Sequence, residues 1–456
     1  MNLTRSRSLS KTAGMNYPFA LRFAQNVRFT RNASGKIEME LGFRRVAFAD
    51  AGKRSSLMGI RGENPVPVEY VAVMEGKPAL ALRPMTADFS LDYRPLEADE
   101  PLRASRFALM RRHDEQMILE TPLSHARVWC LEPTVGVLWA TLAQPVTPRQ
   151  VSDSMGLPLA DCTHCLELLV CAGLVAPTDK TGRLGEDGDA VLRLWTHHEA
   201  LFHARSRRGR HDDPFGATYR FRGEIPPPPA LRAPYDGPMI PLARVELKRL
   251  QLEDASLTQV LEKRRSLRCF DNASPLNLEK LGHFLYRVAR LTKSPNPSQD
   301  RIYDVVWHVY PTGGGMGDLE VYVVAANCQG LSRGAYHYDA LQHSLTQLSQ
   351  APVRAVDLLL EEAKHSSGIT TDLHVLLLFS SRLTRGLWKY SAMYYATALK
   401  DVGALMQTCY LVATAMGLAP CSLGAGNADL FASVTGCNYL EESSVGEFML
   451  GTATVS

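Results

Sequence analysis

The chain has 456 residues, enough for two or three domains, and its 45% hydrophobic and 21% charged residues are those of a globular protein. A net charge of +3 is too small to support bulk nucleic-acid binding. Nine cysteines, odd in number and irregularly spaced, argue against a disulfide framework and for a reducing cytoplasm.

At the amino terminus, MNLTRSRSLSKTAG is basic and serine-rich but lacks the apolar stretch of a secretory signal, so a disordered tail is expected. Residues 1–90 read as a β-rich module. Ile37, Met39, Leu41 and Phe43 alternate as a half-buried strand does, after the turn signal Asn32-Ala33-Ser34-Gly35.

Residues 91–180 have a clearer plan. Short strands with a hairpin around His113-Asp114-Glu115 lead to an apolar helix over 134–142. A helix start at Thr147-Pro148 follows, then a cysteine-bearing helix with a glycine exit at Gly173. Strands followed by three helices predict a small winged-helix-like module. Its candidate recognition stretch carries Asp153, Asp161 and Glu167 and few basic residues, which disfavours DNA reading. Peptide binding by strand addition to an exposed edge is at least as good a use. Cys162-Thr-His-Cys165 has no second CxxC to complete a metal site and lies in a helical apolar pattern, so core cysteines are expected.

The polar stretch 178–190 reads as a linker. Residues 203–211 hold four arginines and two histidines, which suits a solvated charge run or an electropositive groove equally. The proline-rich stretch 224–242 must run extended, as an arm on another surface such as a second subunit. Beyond it, helices are predicted over 254–265 and 276–291, strands over 304–311, 319–326 and 372–379, and a long helix from Tyr390 to Met416. This is an α+β plan around a central sheet. The uncharged run 402–428 is interrupted by Gly417 and Pro420, so it reads as a buried helix followed by a strand rather than a membrane span.

Three stretches of this half carry candidate chemistry. Arg264-Arg265-Ser266-Leu267-Arg268 offers guanidinium groups and a hydroxyl suited to a phosphate, the alternative being a solvated helix end. Pro311-Thr312-Gly313-Gly314-Gly315-Met316-Gly317 lets backbone approach a flat ligand closely. Cys421-Ser422-Leu423-Gly424-Ala425-Gly426-Asn427 places backbone donors where an anion or ring oxygen would meet them.

Taken in order, RRSLRCF, YPTGGGMGDLEVYVV, GAYHYD, LWKYSAMYYATALKDVGALMQT and GLAPCSLGAGN resemble the FMN-dependent azoline dehydrogenases of the nitroreductase superfamily. The stretch LFHARSRRGRHDDPFGATYRF is most similar to the cyanobactin oxidase branch. The likeness covers about residues 195–456. It implies a nitroreductase-like FMN-binding domain over 190–456, preceded by a leader-recognition module at 91–180, with 1–90 as a degenerate second copy. It further implies a homodimer, FMN at the subunit interface, and oxygen-dependent oxidation of thiazoline or oxazoline rings in a ribosomal peptide.

By matching motif, Arg264, Arg265, Ser266 and Arg268 are implied contacts to the FMN phosphate and ribityl chain. Gly313 and Gly314 meet the isoalloxazine ring, with Gly424 and Ala425 on its other edge, and Lys389-Tyr390 is the implied catalytic pair. The chain departs from relatives at Thr312 and Gly317-Asp318, where serine and an aromatic-proline pair are frequent. Aromatising an azoline needs a base, and a neighbouring ammonium that lowers a phenol's pKa suggests Tyr390 as base with Lys389 in support, or the two exchanged. Neighbours on a helix point about 100° apart, so both reach one substrate only if the helix breaks at Lys389. Two other readings stay open: an NAD(P)H-dependent nitroreductase for small molecules, and a non-catalytic peptide-binding protein. No metal, nucleic acid or membrane is expected to take part.

Overall fold

The computed structural model describes residues 19–23, 27–31, 37–41, 44–47, 68–293 and 302–454. The expected amino-terminal tail, the turn at 32–35 and Phe43 lie outside the described residues. The chain divides into two compact units, Met1–Asp213 and Pro214–Ser456.

In the first unit, six antiparallel strands form one sheet in the order Ala20–Phe23, Val68–Met74, Lys77–Pro84, Ala126–Cys130, Gln116–Glu120, Leu109–His113. Strands from either side of residue 90 therefore share a sheet. The 109–120 hairpin turns at Asp114, whose φ of 52° lies in the left-handed region that aspartate tolerates. Val27–Arg31 and Ile37–Leu41 pair antiparallel in a separate three-stranded sheet with Arg44–Ala47.

Helices Thr134–Thr141, Pro148–Met155 and Leu159–Cys171 follow the strands. Thr147 opens the second with a capping box: its hydroxyl accepts from Gln150 N, and Gln150 Oε1 accepts from Thr147 N. Cys162 and Cys165 are fully buried among Leu166, Leu168 and Leu169, and burial pushes the Cys165 thiol up to about 12. They behave as small apolar core residues.

The polar 178–190 stretch is a packed turn, with Leu184 buried and Glu186 accepting from Ser105 Oγ (2.7 Å) and Arg106 N (2.8 Å). The cationic run is partly neutralised within the unit, since Arg205 pairs with Glu120 at 2.7 Å. Arg127, its side chain 2% exposed, is held by Glu120, Asp212 and Asp213 at 3.0–3.3 Å.

The second unit is a mixed helix-and-sheet domain. Seven antiparallel strands run in the order Met239–Pro241, Ser344–Gln347, Gly334–Asp339, Leu319–Ala325, Val375–Ser381, Ser443–Thr452, Leu418–Leu423. Helices Leu278–Ala289 and Tyr394–Ala415 cover one face, where Phe284, Leu285, Val402 and Leu405 meet Val321, Val323, Leu377 and Phe448. Val353–Ser367 and Ala428–Thr435 cover the other, packing Leu359, Leu360 and Phe431 on Tyr322, Val324, Leu376 and Met449. Val375–Ser381 is buried along its whole length because it lies between two strands and two helical layers.

The strand expected over 304–311 shrinks to Trp307–His308. The first part of the proline-rich arm lies against the helix Leu383–Lys389 of its own unit and Arg382 just before it. Carbonyls of Ile225, Pro228, Pro229 and Ala230 accept from Trp388, Arg385 and Arg382 at 2.6–3.1 Å. Among the described residues, no helix is long and apolar enough to cross a membrane.

Candidate active site

The long Tyr394–Ala415 helix carries two clusters of the residues singled out in the sequence. Near its start, Asp401 Oδ2 accepts from Gly313 N at 2.8 Å and fixes the glycine loop. Gly313–Gly315 forms a short 3₁₀ turn in which Gly314 has φ 62° and ψ 24°. A side chain at Gly314 would be strained, and its Cβ would strike Lys389 Nζ and Tyr390 Oη. The loop, the amine and the phenol therefore meet at one place.

The reason both side chains reach that place is a break in the helix. Lys389 is the last residue of Leu383–Lys389, and Tyr390–Ser391 is a two-residue strand paired with Gly216–Ala217. Ala392, at φ 62°, then turns the chain into the long helix. Lys389 is 6% exposed, donates to Gly314 O at 3.2 Å and bonds Tyr303 Oη, which itself donates to Gly314 O at 2.5 Å. The Lys389 amine stands 4.8 Å from the Tyr390 ring centre.

The electrostatics act on the two groups in opposite directions. Burial, and then the Arg385 guanidinium, lower the Lys389 ammonium to about 8. Burial raises the Tyr390 phenol above its ordinary value, and Tyr219, Asp401 and Asp318 push in the same direction. A lysine at 8 is partly neutral at physiological pH, whereas the phenol keeps its proton. Burial also pushes the Asp401 carboxyl up to about 6.

The second cluster gathers about Tyr410, nine residues and roughly 14 Å further along the helix. Tyr410 Oη bonds Ser266 Oγ (2.8 Å) and Ser422 Oγ (3.1 Å) and accepts from Ser422 N (2.8 Å). Leu267 N donates to Pro420 O at 2.9 Å. The arginine turn is thereby pinned to the strand whose end leads into Gly424 and Ala425, both exposed.

Arg264 follows the Leu257–Lys263 helix and places its guanidinium 5.2 Å from the Tyr410 ring centre. Arg265 reaches the carbonyls of Glu262 and Arg264 at 2.8 Å, and Arg268 is exposed near Cys421. None of the three arginines pairs with a carboxylate among the described residues. Tyr303, Arg385, Asp401 and Tyr410 complete the two clusters but lie far in sequence from the residues they touch. Asp401 lies inside the LWKYSAMYYATALKDVGALMQT stretch and Arg385 and Tyr410 lie two residues outside its ends, whereas Tyr303 falls near no recognisable pattern.

Residues 261–452 match the model of the nitroreductase family, and residues 102–212 match that of the cyanobactin oxidase ThcOx. A protein of Methanocaldococcus jannaschii described as a nitroreductase is 28% identical over 181 residues, 40% of this chain and 84% of that protein. The E. coli microcin synthetase McbBCD complex with truncated pro-MccB17 bound is similar at TM-score 0.35 and 19% identity, over 52% of this chain and 91% of the other. The nitroreductase with bound FMN from Bacteroides fragilis is similar at TM-score 0.26 and 14% identity, over 44% and 89%. By these matches the chain is similar to the nitroreductase family over residues 261–452 and to the cyanobactin oxidase ThcOx over the segment 102–212 ahead of them.

Proposed function

We propose that the chain is an FMN-dependent azoline dehydrogenase that oxidises thiazoline or oxazoline rings of a ribosomally made peptide to thiazoles or oxazoles. The observation that carries this reading is the meeting of a weakened, buried Lys389 amine, the half-buried Tyr390 phenol and the exposed Gly314 backbone at one spot. The match to the nitroreductase family over 261–452, following a match to the cyanobactin oxidase ThcOx over 102–212, supports a peptide azoline as substrate.

The residues present fit FMN. Arg264, Arg265 and Arg268 lack carboxylate partners among the described residues and stand beside the Ser266 hydroxyl, a donor set suited to a phosphate. Gly313 and Gly314 would meet the ring, with Gly424 and Ala425 along its other edge. When bound, FMN supplies two-electron oxidation, with oxygen as the final acceptor.

The chain's own residues supply the acid–base part. Lys389, neutral in a fraction of molecules near pH 7–8, takes the proton from the azoline carbon that must lose it. Tyr390 remains a neutral phenol that donates a hydrogen bond and orients the ring, while Asp401 holds the glycine loop through Gly313 N. The amino-terminal unit would engage the peptide's leader.

A homodimer is supported by apolar side chains left exposed on the site's own helices. Leu257 and Leu261 stand beside the arginine turn, and Leu387, Tyr395 and Leu399 beside Lys389. Nine free cysteines fit a cytoplasmic setting.

The test is mass spectrometry of an azoline peptide incubated in air with the FMN-loaded chain. Loss of two hydrogens per ring is expected from wild type and not from Lys389→Met. An unchanged peptide mass with wild-type protein rejects the reading.

A further inference from the structure

Arg385 is a guanidinium 2% exposed to solvent whose partners are carbonyls alone. Its Nε donates to Met316 O (2.8 Å), Nη1 to Pro228 O (2.7 Å) and Nη2 to Asp304 O (2.5 Å). These acceptors belong to three separate stretches: the end of the glycine loop, the proline-rich arm, and the segment that carries Tyr303. No carboxylate forms an ion pair with it among the described residues. Burying such a charge is costly, and here three carbonyl hydrogen bonds, rather than a carboxylate, offset the cost.

Four residues on, one helical turn along the same face, is Lys389. Arg385 also places its Cζ 5.5 Å from the Tyr303 ring centre, and Tyr303 in turn bonds the Lys389 amine.

We propose that Arg385 is the positioning residue of this site, clamping the glycine loop, the Tyr303 segment and the arm around Lys389 and holding its amine in the uncharged, proton-accepting form. The proposal rests on the reading of Lys389 as base. Of two cations one turn apart in a buried setting, the lysine yields first, because a guanidinium keeps its proton far more tenaciously. The directions agree: Arg385 falls only to about 10, and Lys389 falls to about 8.

Other charged and titratable groups surround the amine. Arg382, just before that helix, adds positive charge beside Arg385 and pairs with Glu320 at 3.5 Å, and Tyr390 stands next to Lys389 in the chain. Tyr303 lies above the amine and Tyr219 approaches from the arm side, its N donating to Lys389 O at 3.1 Å. Asp318 and Tyr394, bonded to each other at 2.7 Å, and Asp401 lie beyond the glycine loop. None of the acids ion-pairs with Lys389.

The test uses the full-length chain and the pH dependence of Lys389 acetylation by acetic anhydride, read by peptide mass spectrometry. Wild type should show a midpoint near 8. Arg385→Gln should move that midpoint upward, toward the ordinary lysine value of about 10.4. Arg385→Lys, which keeps the charge but loses the fork, should hold it low. A folded Arg385→Gln with an unmoved midpoint overturns the proposal. Should Arg385→Gln not fold, the lysine variant decides: a low midpoint supports the proposal and an ordinary one overturns it. Labelling needs neither FMN nor peptide, so a midpoint that moves in a chain unable to oxidise azolines would count against the oxidase reading alone.

Discussion

Substituting Gly314 by alanine probes the site most sharply, with Gly315→Ala as its control. Both glycines sit at positive φ, 62° and 66°, where a side chain costs about 1–2 kcal/mol per residue. For a unit of this size each kcal/mol lowers the melting temperature by roughly 2–4 °C. Thermal scans should therefore show both variants destabilised to a similar extent.

Their effects on chemistry should differ. The new Cβ at 314 meets Lys389 Nζ and Tyr390 Oη, whereas the one at 315 meets the Val305 side chain. Displacing a reacting group by an ångström costs about 100-fold in rate, so Gly314→Ala should lose that much turnover of an azoline peptide. Gly315→Ala should lose far less. Equal losses in the two variants, or a fully active Gly314→Ala, would refute the placement of the amine and phenol at this glycine.

Further predictions concern the two clusters and the first unit. The folded Lys389 value of about 8 lies below the unfolded value of about 10.4, so the unfolded chain binds more protons between those limits and stability rises with pH across them. Urea titrations should show Lys389→Met more stable than wild type at pH 7, by about 1–3 kcal/mol, with the gap closing by about pH 10. Turnover by wild type should rise through about pH 8 as the ammonium loses its proton. Tyr410→Phe removes the hydroxyl shared by Ser266 and Ser422, and should cost about 1–3 kcal/mol and release FMN during gel filtration. Arg127→Ala leaves Glu120, Asp212 and Asp213 without their central cation. Urea unfolding should show the first unit weakened by about 3–5 kcal/mol.

Much of the second unit can be read from local pattern. Leu281, Phe284, Leu285 and Val288 recur at helical spacing and do bury together, and the long helix begins and ends within four residues of its expected bounds. The break after Lys389 is also legible as a requirement, since two adjacent side chains cannot otherwise converge. Other features have no such signature. Ser443–Thr452 lies between two neighbouring strands, so its glycines and Glu447 interrupt any alternation that would announce a strand. Tyr303 is 86 residues from the lysine it bonds, and Arg385 depends on carbonyls that any sequence would supply. The electrostatics of the Lys389–Tyr390 pair show the same limit. Adjacency suggests that an ammonium lowers a phenol, but burial, which the sequence does not display, raises Tyr390 and lowers Lys389.

Anaerobic mixing of the FMN-loaded chain with an azoline peptide tests the central claim most directly. Bleaching of the flavin's visible absorbance, one flavin for each azole formed, is the predicted result. A flavin that stays yellow with the peptide but bleaches at once with NADPH would contradict the account and identify a small-molecule nitroreductase instead.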